Sequence, residues 1–80
     1  MASTGSSSLA ETLDCRGLKC PLPVLKTEKR LAALPAGAHL TVLATDPVAR
    51  IDIPLYCTQH GFACETHAEG ELLRFEIVKR

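Results

Sequence analysis

The apolar residues in the first half of the chain recur with a helical spacing. From Pro21 to about Leu34, Val24, Leu25, Leu31 and Ala32 are related by seven-residue intervals, which predicts one apolar helix face. The chain-breaking segment 35–37 (Pro-Ala-Gly) ends this predicted helix. Its opposite face carries Lys26, Lys29, Arg30 and Ala33.

Strand-like segments flank this helix. Residues 11–14 form a short candidate strand, and the apolar run 40–44 is bounded by the breaker at 35–37 and the turn residues 45–47. A strand, a helix and a second strand make a βαβ unit, in which the strands are expected to be parallel with a right-handed crossover.

The second half predicts a short helix. An irregular turn from Asp46 to about Arg50 precedes Asp52, which is followed by Ile53 and Pro54. Aspartate is a preferred N-cap and proline is favoured in a first helical turn, so we expect a helix from about Asp52 to His60 with Asp52 as its N-cap.

A strand hairpin is predicted to close the chain. Residues 62–67 and 72–79 are candidate strands joined by a glycine-containing loop at 68–71. Leu73, Phe75 and Ile77 alternate with more polar positions, which indicates one buried face. The predicted order is βαβαββ, an α+β two-layer sandwich with a four-stranded mixed sheet and two helices on one face. We expect a flexible N-terminal tail over residues 1–10 and a single domain over 11–80.

Composition narrows the functional classes. The 80-residue chain has zero formal net charge and a sequence pI near 6.8, which argues against strong direct nucleic-acid binding. Its first ten residues lack the features of a signal peptide, and no apolar run is long enough to span a membrane. We therefore expect a cytoplasmic protein whose four cysteines are reduced thiols.

Cys20 lies directly before the start of the first predicted helix, a position that affects thiol ionisation. Cys20 directly precedes Pro21 and Pro23, which favour and stiffen a helix start. Helix N-termini lower thiol pKa values, and Lys19 and Arg16 add positive charge nearby. The N–H groups of residues 22 and 24 are expected to point toward the sulfur. The sequence therefore predicts an exposed Cys20 at or beside the N-cap, with the lowest pKa of the four cysteines.

These features occur together in a recognisable order. The segment 17–23 reads Gly-Leu-Lys-Cys-Pro-Leu-Pro, preceded by Leu-Asp at 13–14 and followed by Asp-Pro at 46–47, Asp-Ile-Pro at 52–54 and Cys57. From about residue 12 to 79 the chain resembles the TusA/SirA family of small sulfur-carrier proteins. The resemblance implies a βαβαββ sandwich like the C-terminal domain of a translation initiation factor.

The resemblance also implies a function. A cysteine desulfurase would pass sulfane sulfur to Cys20, which would relay it as a persulfide to an acceptor protein in tRNA 2-thiolation, molybdenum-cofactor synthesis or sulfur metabolism. The implied protein is a sulfur-relay carrier that works only with partner enzymes. We expect it to be a monomer without cofactor or metal. Leu22 stands where the tRNA-thiolating members carry an acidic residue, and Cys15 is a second difference from them. The motif residues that support Cys20 are Gly17, Leu18, Lys19, Pro21 and Pro23.

Other functions are compatible with the residues. Cys15 and Cys20 form a candidate thiol redox pair, although their spacing is not that of a Cys-x-x-Cys motif and Cys15 fits a partly buried strand-end position. A regulatory binding module without sulfur chemistry is a further alternative. A zinc site would have to draw on Cys15, Cys20, Cys57, His60 and Cys64, whose spacing lacks paired knuckles; Cys57 fits a core thiol on the second helix and Cys64 a sheet residue.

Basic residues near Cys20 are candidates for docking a partner. Arg16, Lys26, Lys29 and Arg30 are close to the motif in sequence or on the first predicted helix. They also fit an ordinary solvated helix face, so the sequence leaves both interpretations open.

Overall fold

The computed structural model describes residues 10–80 and has the predicted βαβαββ order. The elements are β1 (Ala10–Cys15), α1 (Leu22–Ala33), β2 (His39–Ala44), α2 (Ala49–Gln59), β3 (Ala63–Glu69) and β4 (Leu72–Val78). The tail predicted for residues 1–10 lies outside the described residues, except for Ala10, which begins β1.

The four strands form one mixed sheet in the order β1-β2-β4-β3. β1 pairs with β2 in parallel, with Cys15 opposite Ala44, and β4 pairs antiparallel with both β2 and β3. The parallel pair is the βαβ unit predicted from the sequence, and the predicted α+β fold class is confirmed.

The core lies between the sheet and the two helices. Cross-strand partners on the inner face of β2 and β4 are buried, including Leu40 opposite Ile77 and Val42 opposite Phe75. Ile53 and Cys57 of α2 and Leu31 of α1 pack into the same cluster. The alternation predicted for β4 is therefore confirmed.

The buried face of α1 agrees in part with the predicted one: Leu31 is buried and the partly buried Val24 packs against the core. Pro23, Thr27 and Leu31 are buried, whereas Leu25 is half exposed and Ala32 is exposed. Thr27 can occupy the core because its hydroxyl donates a hydrogen bond of 2.8 Å to the Pro23 carbonyl. A buried polar group with a partner avoids the desolvation penalty, so the hydrophobicity pattern missed Thr27 and wrongly included Leu25 and Ala32.

α2 begins earlier than predicted. It starts at Ala49 after an N-cap at Val48, so Asp52 lies in its first turn and Pro54 lies inside the helix. The turn expected to end near Arg50 is shorter because Asp46 caps it: its side chain accepts the Val48 N–H at 3.1 Å. The prediction of Asp52 as N-cap is wrong, and its carboxylate is available for another contact.

The closing hairpin has a tighter loop than predicted. β3 and β4 are joined by residues 70–71, and Gly70 has a φ of 62°. A positive φ in a two-residue hairpin loop favours glycine. Neither helix of the described part of the chain, residues 10–80, is long and apolar enough to cross a membrane.

A lysine ties the C-terminal end of the described chain to the end of α1. The ammonium group of Lys79 donates hydrogen bonds to the carbonyls of Leu31 and Leu34, at 2.7 and 2.6 Å. These carbonyls lie at the C-terminal end of the helix, where a positive charge is favourable, and the Leu31 carbonyl also accepts the Leu34 N–H at 3.2 Å.

We predict that Lys79→Met lowers the free energy of unfolding by about 1–2 kcal/mol, because it removes a charged cap while keeping most of the aliphatic stem. Urea denaturation provides the measurement. Lys29→Met is the matched control, since Lys29 is exposed on α1 and its replacement should stay within about 0.5 kcal/mol. Equal effects of the two variants would contradict a capping role.

Candidate functional site

The loop from β1 to α1 is held by backbone and side-chain hydrogen bonds. Leu18 N–H donates to the Cys15 carbonyl at 3.2 Å, and Gly17 N–H donates to the Thr45 hydroxyl at 2.9 Å. Gly17 has a φ of 80°, a conformation that residues with a Cβ rarely adopt. Leu18 packs against the core. Gly17 and Leu18, the two motif residues before Lys19, therefore hold the loop in its conformation.

Cys20 is exposed and lies just before α1. Its backbone N–H donates a hydrogen bond to Asp46, whose carboxylate also accepts the Val48 N–H. Asp46 therefore joins the start of α1 to the start of α2. Both backbone bonds hold the pKa of Asp46 below its usual value, since they stabilise the carboxylate.

The Cys20 thiol contacts a second carboxylate. Its Sγ donates a hydrogen bond of 3.2 Å to Oδ2 of Asp52. This bond, with some burial and the negative charges of Asp52 and Asp46, raises the pKa of Cys20. The prediction that Cys20 has a lowered pKa, the lowest of the four cysteines, is therefore wrong: a hydrogen bond with Cys57 lowers the pKa of Cys64 instead. The exposure of Cys20 and its place beside the helix start are as predicted.

Local backbone pairing explains that reversal. The Leu22 N–H, expected to point at the sulfur, instead donates to the Lys19 carbonyl at 2.8 Å. The helix begins at Leu22, with Pro21 at its N-cap and Pro23 in its first turn, and the Cys20–Pro21 peptide bond is cis. A carboxylate in hydrogen-bonding contact outweighs a helix-end partial charge, because full charges at short range dominate thiol ionisation.

The other three cysteines differ from Cys20 in burial. Cys15 is fully buried at the end of β1, more deeply than predicted, and burial raises its pKa. Cys57 is a core thiol on α2 and Cys64 is a half-buried sheet residue on β3, as predicted. A hydrogen bond with Cys64, together with burial, raises the pKa of Cys57.

The described residues do not form a cluster of metal ligands. Residues 10–80 contain no group of three or more His, Cys, Asp or Glu side chains arranged to hold a metal ion.

Two of the four candidate docking cations are engaged within the chain. Arg16 forms a two-point contact with Asp14, with both side-chain bonds at 2.9 Å, and this lowers the pKa of Asp14 to about 2. Arg30 contacts Glu11 of β1 at 2.6 and 2.7 Å and is partly buried. Arg30 thus belongs to the packing of α1 on β1, not to a free helix face. Lys26 and Lys29 are exposed on α1.

Apolar side chains are exposed on α1, on α2 and at the N-cap of α2. We call this set the apolar rim; it consists of Leu22, Leu25, Val48, Ile51 and Leu55, which are 43–69% exposed. Leu22 is in the first turn after Cys20. Val48 and Leu55 are four residues before and three residues after Asp52, and residues at these spacings are neighbours on a helix surface. Leu22, Val48 and Leu55 therefore flank the Cys20–Asp52 contact. Leu25 and Ile51 extend the rim, since they lie three residues after Leu22 and Val48.

Sequence reasoning missed Asp46 and Asp52 as site residues. It used them as turn and helix-start signals, which accounted for their presence without a contact to Cys20. Their shared feature is a carboxylate at the start of the second helical segment. Only the parallel pairing of β1 with β2 reveals that this segment begins beside the motif.

The fold and the site define a small α+β domain that presents one exposed thiol at a helix start. The chain belongs to the TusA family: the family model described as Sulfurtransferase TusA matches residues 11–79. The predicted resemblance to this family is confirmed.

Named relatives support the same grouping. The chain is 54% identical over 52 residues to a putative sulfur carrier protein of Neisseria meningitidis, covering 65% of this chain and 70% of the relative. It is 44% identical over 63 residues to the sulfur carrier protein TusA of Pseudomonas syringae, covering 76% and 75%. The crystal structure of a SirA-like protein from Desulfitobacterium hafniense superposes with a TM-score of 0.78 at 30% identity, covering 85% of this chain and 95% of that one.

We predict that a small alkylating reagent modifies Cys20 first, Cys64 next, and Cys15 and Cys57 only on unfolding. The order follows exposure, since Cys20 is exposed, Cys64 half-buried and the other two buried. The raised pKa of Cys20 should place its rate increase at higher pH than for an unperturbed thiol. Peptide mapping by mass spectrometry over a pH series measures both. Labelling of Cys57 before Cys20 in the folded protein would contradict this assignment.

Proposed function

We propose that this protein is a sulfur carrier that accepts sulfane sulfur from a cysteine desulfurase as a persulfide on Cys20 and relays it to an acceptor protein. The observation that carries the proposal is the exposed Cys20 thiol, held at the start of α1 by contacts to Asp46 and Asp52. The named sulfur-carrier relatives support it.

Transfer of sulfur from the desulfurase to Cys20 balances in atoms and electrons without a cofactor. The Cys20 sulfur attacks the terminal sulfur of the desulfurase persulfide, a new S–S bond forms on Cys20, and the S–S bond of the donor breaks. The desulfurase cysteine leaves as a thiolate and takes up the proton that Cys20 loses, so no net oxidation occurs. This exchange has the same form as thiol–disulfide exchange, in which the thiolate is the attacking species.

An exposed site suits this chemistry. A carrier has to offer the same sulfur first to a donor and then to an acceptor, and both partners are proteins that need access to it. The acceptor is proposed to belong to tRNA 2-thiolation, molybdenum-cofactor synthesis or sulfur metabolism. Leu22 stands where the tRNA-thiolating members carry an acidic residue, so the motif does not select among these pathways. We propose that the carrier is a cytoplasmic monomer. The cytoplasm fits its four free thiols, because cytosolic thiols are kept reduced.

The thiol redox alternative has less support. A Cys15–Cys20 pair would require Cys15 to reach an exposed partner, but Cys15 is fully buried and burial raises its pKa. Thiol exchange needs both access and thiolate, and both are reduced at Cys15. A regulatory binding module remains the alternative that uses the fold without sulfur transfer.

We predict that Cys20→Ser abolishes sulfur loading and leaves the fold intact, because serine is close to isosteric, can still donate to Asp52 and cannot form a persulfide. The assay incubates the variant with a cysteine desulfurase and cysteine, and intact mass spectrometry detects the gain of one sulfur atom.

Cys57→Ser is the matched control. It should load normally but unfold more easily, by roughly 1–3 kcal/mol, because it places a hydroxyl in an apolar core. Retained loading in the Cys20 variant would refute the assignment of the carrier sulfur to Cys20, and loss of loading only in the Cys57 variant would assign it to Cys57 instead.

The docking surface that we propose is centred on the apolar rim and extends to Lys26 and Lys29. Exposed apolar side chains beside a reactive group are typical of a protein-binding surface. Arg16 and Arg30 contribute less, because each already forms a two-point contact with a carboxylate of this chain. Reversing the charge of Arg30 would break its contact with Glu11, so its effect on docking would be mixed with an effect on stability.

We predict that Ile51→Asp slows desulfurase-dependent loading roughly tenfold at both low and high salt. Ile51 is 69% exposed, so the substitution should change stability by at most about 0.5 kcal/mol. A charge in an apolar contact opposes docking by an amount comparable to the lost burial, about 1–2 kcal/mol. Lys26→Glu with Lys29→Glu should slow loading only at low salt, since exposed charges act mainly on association and are screened.

Ala36→Asp is the control for an added charge, at an exposed turn beyond the far end of α1. It should leave the loading rate unchanged. Normal loading of the Ile51 variant at both salt concentrations would exclude the apolar rim as the docking surface.

A further inference from the structure

Asp52 contacts the Cys20 thiol, and an exposed thiol does not need such a contact in order to carry sulfur. Its Oδ2 accepts the hydrogen bond from Cys20 Sγ at 3.2 Å, although the two residues are 32 positions apart and lie at the starts of different helices. Asp52 is half-buried in the first turn of α2. Its carboxylate forms part of a small recess with Cys20, Pro23 and Ala49.

The charged groups around the sulfur are mainly negative. Asp52 faces it from α2, and Asp46 faces it from the loop between β2 and α2. Lys19, on the same loop as Cys20, interacts with Asp46. Arg16 is held by Asp14. The nearest charges to Cys20 Sγ therefore favour its protonated form, and a hydrogen bond from the thiol to Asp52 requires that proton.

We propose that Asp52 is a latch, which holds the unloaded Cys20 thiol protonated and hydrogen-bonded until a docked partner accepts its proton. The proposal rests on the proposed sulfur-carrier function for its biological meaning. The latch itself is a property of the unloaded chain.

The latch protects the free carrier from unwanted chemistry. The thiolate is the form that reacts with small electrophiles and oxidants, so a raised pKa lowers the reactive fraction at neutral pH. The Cys20 thiol is exposed and would otherwise be the most vulnerable thiol of the four. A partner that docks on the apolar rim covers the helix face that carries Asp52, and so it can change this contact while supplying the persulfide.

Loading breaks the contact for a chemical reason. When the terminal sulfur of the donor bonds to Cys20 Sγ, the S–H bond of Cys20 is lost and the proton leaves with the departing thiolate of the donor. Sγ then has no hydrogen to donate to Asp52. The added sulfur carries the new acidic proton or, once it ionises, a negative charge that Asp52 and Asp46 repel. The repulsion directs the ionised terminal sulfur away from the two carboxylates and toward an acceptor.

The test uses the alkylation rate of Cys20 in the unloaded protein as a function of pH. Asp52→Asn removes the charge and keeps the shape, so we expect the rate profile to shift to lower pH. The rate at neutral pH should rise: each pKa unit by which the profile moves down increases the thiolate fraction about tenfold and reduces its nucleophilicity about threefold, a net gain of about threefold per unit. Peptide mapping with iodoacetamide isolates the Cys20 signal.

Two control variants separate the latch from a structural role. Asp52→Glu keeps the charge and should keep the profile at or near that of the parent protein. Glu28→Gln removes an exposed carboxylate of α1 and should leave the Cys20 profile unchanged. Thermal unfolding of all three variants is measured in parallel. An unchanged profile for Asp52→Asn, or an equal shift for Asp52→Glu, would overturn the latch.

Sulfur loading of the parent protein is measured separately with a cysteine desulfurase and cysteine. A shifted profile in Asp52→Asn without loading of the parent supports the latch and overturns the carrier function. Loading of the parent with an unshifted profile in Asp52→Asn overturns the latch and leaves the carrier function in place. The two proposals therefore fail independently.

Discussion

The parallel pairing of β1 with β2 is the constraint on which the site depends. In this register Cys15 lies opposite Ala44, so the two strands end at the same edge of the sheet. The loops that lead into the two helices therefore start side by side. Thr45 can then hold Gly17, and Asp46 can hold Cys20, across a large separation in sequence. A βαβ crossover thus converts two distant segments into one site.

Packing of the helices sets how firmly that site is held. α1 is anchored by Leu31 and Thr27 in the core, and its C-terminal carbonyls are capped by Lys79. α2 is anchored by Ile53 and Cys57. Because both helices pack on one sheet, their starts meet beside Cys20. At the site, the helix starts combine the buried Pro23 and Ala49 with polar contacts through Asp46 and Asp52.

The electrostatics of Cys20 show why a helix start is insufficient to define a reactive thiol. The N-terminal backbone of α1 supplies partial positive charge, but the Leu22 N–H is used by the Lys19 carbonyl. Asp52 supplies a full negative charge in direct contact. The balance raises the pKa of Cys20. In the proposed function, activation of the thiol then belongs to the complex with a partner.

The sequence alone determined the order of elements, the parallel βαβ unit, the buried face of β4 and the identity of Cys20 as the candidate carrier. These depend on local patterns: alternation in Leu73, Phe75 and Ile77, a helical run closed by the breaker at 35–37, and a thiol before two prolines. Tertiary structure decided the burial of Thr27, the pairing of Arg30 with Glu11 and the contact between Cys20 and Asp52. These three features depend on packing and on residues distant in sequence, which local patterns do not reveal. The sign of the Cys20 pKa shift followed from such a neighbour, because a charge at hydrogen-bonding distance outweighs the local field that the sequence reveals.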